Sequence, residues 1–163
     1  MHARRRRGAA QLGRRRQRLN GPDAECRTGQ RLLCCAIVVS HIRNVAFDCP
    51  DPYALAQFWS AVVGHPVDPD AVPGDDEVVI EPPGGPRLYF QAVPEGKTVK
   101  NRVHVCLQPD DRDRDAEVER LLALGANVLD DHRTPDGAGW VVLLDPAGNE
   151  FCMTRSTAER PSS

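Results

Sequence analysis

The sequence predicts an α+β fold of two tandem βαβββ modules, and three observations carry that prediction. Two stretches about 60 residues apart share one pattern, Asn44-Val45-Ala46-Phe47-Asp48-Cys49 and His104-Val105-Cys106-Leu107-Gln108-Pro109. Each is followed by acidic residues, an apolar stripe at helical spacing and a glycine. The distance from opening residue to glycine is nearly the same, 20 from Asn44 to Gly64 and 21 from His104 to Gly125. Three short extended segments then follow in both copies. A duplicated strand–helix unit of this length builds a pseudo-symmetric domain with its site between the halves.

In the first copy Ile42 to Asp48 reads as a strand ended by Pro50. Pro52 suits the first helical turn and Asp51 the N-cap. Leu55, Phe58, Trp59 and Val62 fall at i, i+3, i+4 and i+7, one apolar helical stripe. Gly64 supplies the stop. Strands are expected near Val67, at Glu77–Glu81 and at Arg87–Val93.

In the second copy Asp113 and Asp115 start the helix, Val118, Leu121 and Leu122 form its stripe, and Gly125 closes it. Strands are expected at Asn127–Leu129, Gly139–Leu144 and Glu150–Thr154, with Asp130-Asp131-His132 in a loop. Turn chemistry separates the last two strands of both halves, as Pro82-Pro83-Gly84-Gly85-Pro86 and Asp145-Pro146-Ala147-Gly148-Asn149. The modules span about 41–96 and 97–156, with Pro94-Glu95-Gly96-Lys97 opening the linker and a disordered tail at 157–163.

The net charge of −2 hides an asymmetry. Residues 1–36 hold ten arginines against one Asp and one Glu, a balance of +8, whereas the remainder carries −10. An acidic folded part argues against nucleic acid as the partner of the main surface. Nothing approaches the roughly 20 apolar residues of a membrane span, so no membrane partner is expected. Residues 1–40 form a basic leader without hydrophobic periodicity, expected to be disordered. Its Arg4–Arg7 cluster could contact phosphate, but the repeat needs nothing upstream of Ile42, which favours a start called too early. The cysteines at 26, 34, 35, 49, 106 and 152 show neither CxxC nor zinc-ribbon spacing and read as free thiols in a reducing cytoplasm.

The strings Val45-Ala46-Phe47-Asp48-Cys49-Pro50-Asp51-Pro52, Phe58-Trp59, Phe90-Gln91-Ala92-Val93-Pro94-Glu95 and Lys100-Asn101-Arg102-Val103-His104 resemble a glyoxalase-like domain. So does the ending Trp140 to Cys152 with its Asp145-Pro146-Ala147-Gly148-Asn149-Glu150-Phe151 run. The wider group is the glyoxalase/bleomycin-resistance/extradiol-dioxygenase, or vicinal oxygen chelate, superfamily. The resemblance covers about residues 41–156 and implies two curved sheets facing each other across a cavity. It also implies, in many members, a divalent metal held by the first and last strand of each module. Other members use the cavity only to bind.

Alternation along the strands assigns candidate residues. Val103, Val105 and Leu107 are expected to face the helices, leaving His104, Cys106 and Gln108 toward the cavity. Phe151 and Met153 likewise face the helices, leaving Glu150, Cys152 and Thr154. His104 and Glu150 therefore fall where the resemblance places two metal ligands, suited to Zn, Fe, Mn or Ni. The first module puts Asn44, Ala46 and Asp48, and then Arg87, Tyr89 and Gln91, on the same face. Arg87 occupies the slot equivalent to Glu150, and a guanidinium repels a metal. Arg87 is expected either to pair with Glu150 or to hold an anionic ligand. Cys106 and Cys152 beside His104 are an alternative soft ligand set.

The expected function is binding of a small polar or anionic organic molecule. Two readings stay open. One is a metal-assisted lyase or isomerase with Glu150 moving a proton. The other is a metal-free binding or sequestering protein. Fold relatives are often dimers, so a homodimer also stays open.

Overall fold

Asp51 begins the first helix as its position requires, its carboxylate accepting from the Ala54 N–H at 3.0 Å. The computed structural model describes residues 40–159. In the first module β1 (Asn44–Cys49) leads into α1 (Pro52–Val63), which stops at Gly64 with φ 69°. That left-handed conformation is open to glycine at little steric cost. Then come β2 (Glu77–Ile80) and β3 (Arg87–Ala92). The second module repeats the pattern with β4 (Val105–Leu107), α2 (Arg114–Ala123), β5 (Asn127–Asp131), β6 (Trp140–Leu144) and β7 (Glu150–Thr154). Asp113 caps α2, accepting from the Ala116 N–H at 2.7 Å.

The modules share one topology. The first sheet runs β1-β3-β2 and the second β4-β7-β6-β5, and the first and last strands of each module pair in parallel. The strand expected near Val67 shrinks to a single bridge with Ile80. Conversely β5 extends through Asp130 and Asp131, which the sequence pattern had assigned to a loop, with a register shift between Val128 and Asp130. This exposed edge carries adjacent acidic residues, which discourage pairing with another strand.

The core lies between the helices and one face of both sheets. Trp59, Phe90 and Phe151 are fully buried there. Phe47 sits 4.9 Å from Trp59 and 5.1 Å from Phe90, ring to ring, and Trp59 sits 5.3 Å from Phe151. Each buried phenylalanine contributes on the order of 2–3 kcal/mol. Because Trp59 belongs to the first module and Phe151 to the second, the two halves share this core.

Two packing expectations need correction. Leu122 is 40 % exposed, so the stripe of α2 is carried by Val118 and Leu121. Val103 is 83 % exposed, because the chain enters β4 only at Val105 and the preceding residues follow the linker. Among the described residues no helix is long and apolar enough to cross a membrane. The arginine-rich leader with Cys26, Cys34 and Cys35, and residues 160–163, lie outside the described residues, together with the expectations attached to them.

Candidate functional site

The parallel pairing of β4 with β7 sets Val105 opposite Phe151, Cys106 opposite Cys152 and Leu107 opposite Met153. Val105, Leu107, Phe151 and Met153 pack into the core, which turns Cys106, Cys152 and Thr154 to the other face. On β6 the same alternation buries Val141 and Leu143 and leaves Trp140 and Val142 beside Thr154 and Cys152. These side chains, with Lys100, His104 and His132, enclose a cavity of about 390 Å³. Trp140 is 44 % exposed and its ring lies 4.7 Å from the His132 ring, tilted by 33°, while the His132 backbone N–H donates to the Trp140 carbonyl at 2.9 Å. Thr154 is fixed by its hydroxyl donating to the Leu107 carbonyl at 2.9 Å.

His104, Cys106 and Cys152 converge within this cavity, their ligating atoms all within 4.8 Å of one another. Burial, reinforced by the neighbouring Cys106, pushes the Cys152 thiol up to about 11, so the metal-free side chain is a neutral thiol at pH 7.

The loop under Trp140 is held from below. Buried Arg114 donates through Nη1 to the carbonyls of Gly137, Ala138 and Gly139 at 3.0–3.1 Å. Gly139 has φ 86°, and a Cβ there would fall 1.9 Å from the His132 carbonyl oxygen, so only glycine lets the chain close beneath the His132–Trp140 pair.

Glu150 is buried and both its oxygens are engaged. Lys97 donates to Oε1 at 2.9 Å and the Asn101 N–H donates to Oε2 at 3.1 Å. Burial raises its ionisation, but the Lys97 and Asn101 hydrogen bonds outweigh it and hold the carboxyl below its ordinary range. Arg87 does not pair with Glu150, contrary to one expectation. It bonds Glu81 at 2.5 Å across the β2–β3 hairpin, where its partner is close in the chain.

The remaining candidates divide. Asp48 lines a second cavity of about 300 Å³ with Asn101, His104 and Glu150, so His104 borders both spaces. Asn44 stands in register with Arg87, and Asp48 with Gln91, on the first sheet. The Tyr89 hydroxyl bonds Glu77, which pushes its ionisation up, and the Gln91 carbonyl accepts from the Cys49 thiol at 3.7 Å. Arg87 borders a shallow groove with His41 and Glu81.

Sequence reasoning missed Lys97, Lys100, Asn101, His132, Trp140 and Val142. The last two were within reach, since Val141 and Leu143 are apolar at period 2 and their alternates must face away from the helices. The lysines and Asn101 sit in a linker with no periodicity to read.

The four-ligand metal centre implied by the superfamily resemblance does not fit these residues. Asn44 and Arg87 bring no anionic or imidazole donor. Glu150 is held by an ammonium 2.9 Å away. Of these four residues, only His104 keeps a ligating atom toward the space.

A model of the glyoxalase-like domain matches residues 44–154. Among solved structures, a lactoylglutathione lyase from Agrobacterium tumefaciens is 24 % identical, with 71 % of this chain and 93 % of that chain covered and a TM-score of 0.51. A glyoxalase/bleomycin resistance protein/dioxygenase family enzyme from Burkholderia phytofirmans is 19 % identical, covering 70 % and 97 %, with a TM-score of 0.56. A fosfomycin resistance protein variant from Listeria monocytogenes, solved with Mn(II) and a dihydroxypropylphosphonic acid, is 15 % identical, covering 75 % and 94 %, with a TM-score of 0.57. No curated protein matches the chain. At these identities the structural likeness speaks for the fold, and it agrees with the duplicated βαβββ topology. The chain belongs to the glyoxalase-like domain family.

Proposed function

We propose that this domain binds a small organic molecule with a flat apolar body and an anionic end in the cavity over β4, β7 and β6. The carrying observation is the half-exposed Trp140, which offers a ring face beside Val142 while Lys100 and His104 line the same space. A large apolar side chain left in a concave space, with polar groups converging on it, is what a ligand pocket requires. Trp140 supplies stacking area, and Lys100 supplies the charge that selects an anion.

A second reading is turnover. Its support is the placement of Glu150 at the adjacent cavity with His104 and Asp48. The Lys97 pairing lowers the basicity of Glu150, so proton abstraction requires Lys97 to release the carboxylate as substrate enters.

Tryptophan fluorescence tests the binding reading, because the chain has two tryptophans and Trp59 is buried in the core. Benzoate and phenylphosphonate are expected to quench Trp140 saturably, and neutral benzyl alcohol to bind more weakly. Lys100→Gln should weaken the anions about tenfold, equivalent to ~1.4 kcal/mol, and leave benzyl alcohol unchanged. Quenching that persists in Trp140→Phe, or is indifferent to probe charge and to Lys100, overturns the reading.

A further inference from the structure

We propose that His104, Cys106 and Cys152 form a binding site for one thiophilic divalent cation of the Zn²⁺ class. The donor set differs from that implied by the superfamily resemblance. Cys106 lies in β4, two residues beyond His104 at the entrance to that strand, and Cys152 lies two residues beyond Glu150 on the parallel strand β7. A step of two residues keeps the same face and moves about 6.6 Å along the strand. The pair of parallel strands therefore presents a second donor pair, offset from the slots in which Glu150 is engaged by Lys97.

Three observations support the assignment. Cys106 and Cys152 are direct register partners, so the backbone itself holds their side chains together. All three ligating atoms lie within 4.8 Å of one another on the wall of one cavity. A tetrahedral zinc with bonds of about 2.3 Å to sulfur and 2.0–2.1 Å to nitrogen needs its donors roughly 3.5–3.8 Å apart, a closure within reach of side-chain rotation. Lys100 also lines the cavity, and its ammonium opposes a free cation but is compatible with a neutral bis-thiolate complex.

Binding breaks both S–H bonds and releases two protons to solvent, giving two thiolates and one neutral imidazole around the ion. Three protein ligands with a fourth position open resemble catalytic rather than closed structural zinc sites. The open position faces the same cavity as Trp140, so an oxygen of the bound organic molecule can complete the coordination. The metal site shares that cavity and does not depend on the organic ligand being correctly identified.

The test uses the full chain under reducing conditions, with Co²⁺ as a spectroscopic probe and Zn²⁺ as competitor. One equivalent of Co²⁺ is expected to give thiolate-to-cobalt charge-transfer absorption that Zn²⁺ abolishes. Cys26, Cys34, Cys35 and Cys49 remain in the chain, so the decisive comparison is with Cys106→Ser and His104→Ala. Both replaced residues are exposed and should leave the melting transition in place. Each variant should lose that equivalent or bind it more than about 100-fold more weakly, exceeding the cost of losing an outer-shell partner. No charge-transfer band, or a band of unchanged intensity and affinity in either variant, overturns the proposal. Benzoate quenching of Trp140, measured with EDTA present, reports separately on the organic ligand. A protein that binds benzoate but no Co²⁺ loses only the metal site.

Discussion

Trp59 on α1 donates through Nε1 to Asp145 Oδ2 at 3.1 Å, joining the helix of the first module to the last turn of the second. Asp145 also accepts from the Ala147 N–H at 3.0 Å and the Asn149 N–H at 2.8 Å. The Asp-Pro-Ala-Gly-Asn run thus folds around one buried carboxylate, and a tryptophan 86 residues away satisfies its other oxygen. The spacing that marks the family in sequence is also the clasp between its halves.

Trp59→Phe should destabilise the domain by about 2–3 kcal/mol, because it removes a hydrogen bond to a buried carboxylate. Burial already raises the Asp145 ionisation above its ordinary value, against the opposing pull of its donors. Losing Trp59 should raise it further. With the folded value above the unfolded one, the ionised group weighs against folding as pH climbs past the unfolded value. The penalty of Trp59→Phe should accordingly be larger at neutral pH than in acid, as measured by urea unfolding at both.

Lys97→Met should strand the Glu150 carboxylate beneath the linker. Breaking a fully buried ion pair costs about 3–5 kcal/mol. Here Lys97 is partly exposed and the Asn101 N–H stays, so about 1–3 kcal/mol is expected. Adding Glu150→Met should recover most of that loss, and unfolding of the four proteins of the cycle reads the coupling. Equal stability of the single Lys97→Met and double variants would show that the ion pair does not fix the linker.

Asp131 predicts a pH dependence at the edge of the second sheet. The Arg133 side chain and then its N–H hold the Asp131 carboxyl down to about 2. A depressed folded value contributes stability above the ordinary aspartate range, and this is lost as pH falls through about 2. Carboxyl-carbon NMR should place the Asp131 midpoint near that value. Arg133→Gln should return it toward the ordinary ~3.9.

Much of the fold was legible because its signals are local. Asp51, Pro52 and Gly64 act on backbone groups within one turn, and Phe151 and Met153 alternate with their neighbours along a single strand. Leu122 misled for the same reason, since helical spacing places it at the margin of the stripe and only the width of the facing sheet decides whether it is covered. The candidate site was legible in part. Period 2 brought His104, Cys106 and Cys152 to one face, but it could not show which donors would converge.

The chain's own order of residues set the duplicated strand–helix pattern, the caps and the faces, since these depend on neighbours a few positions apart. Folding in three dimensions chose the partners. Glu150 met Lys97 across 53 residues while Arg87 stayed with Glu81, because a buried carboxylate takes the donor that the linker delivers to it. The same packing left Cys106, Cys152 and His104 on the wall of one cavity, and gave Trp140 that cavity in place of a core.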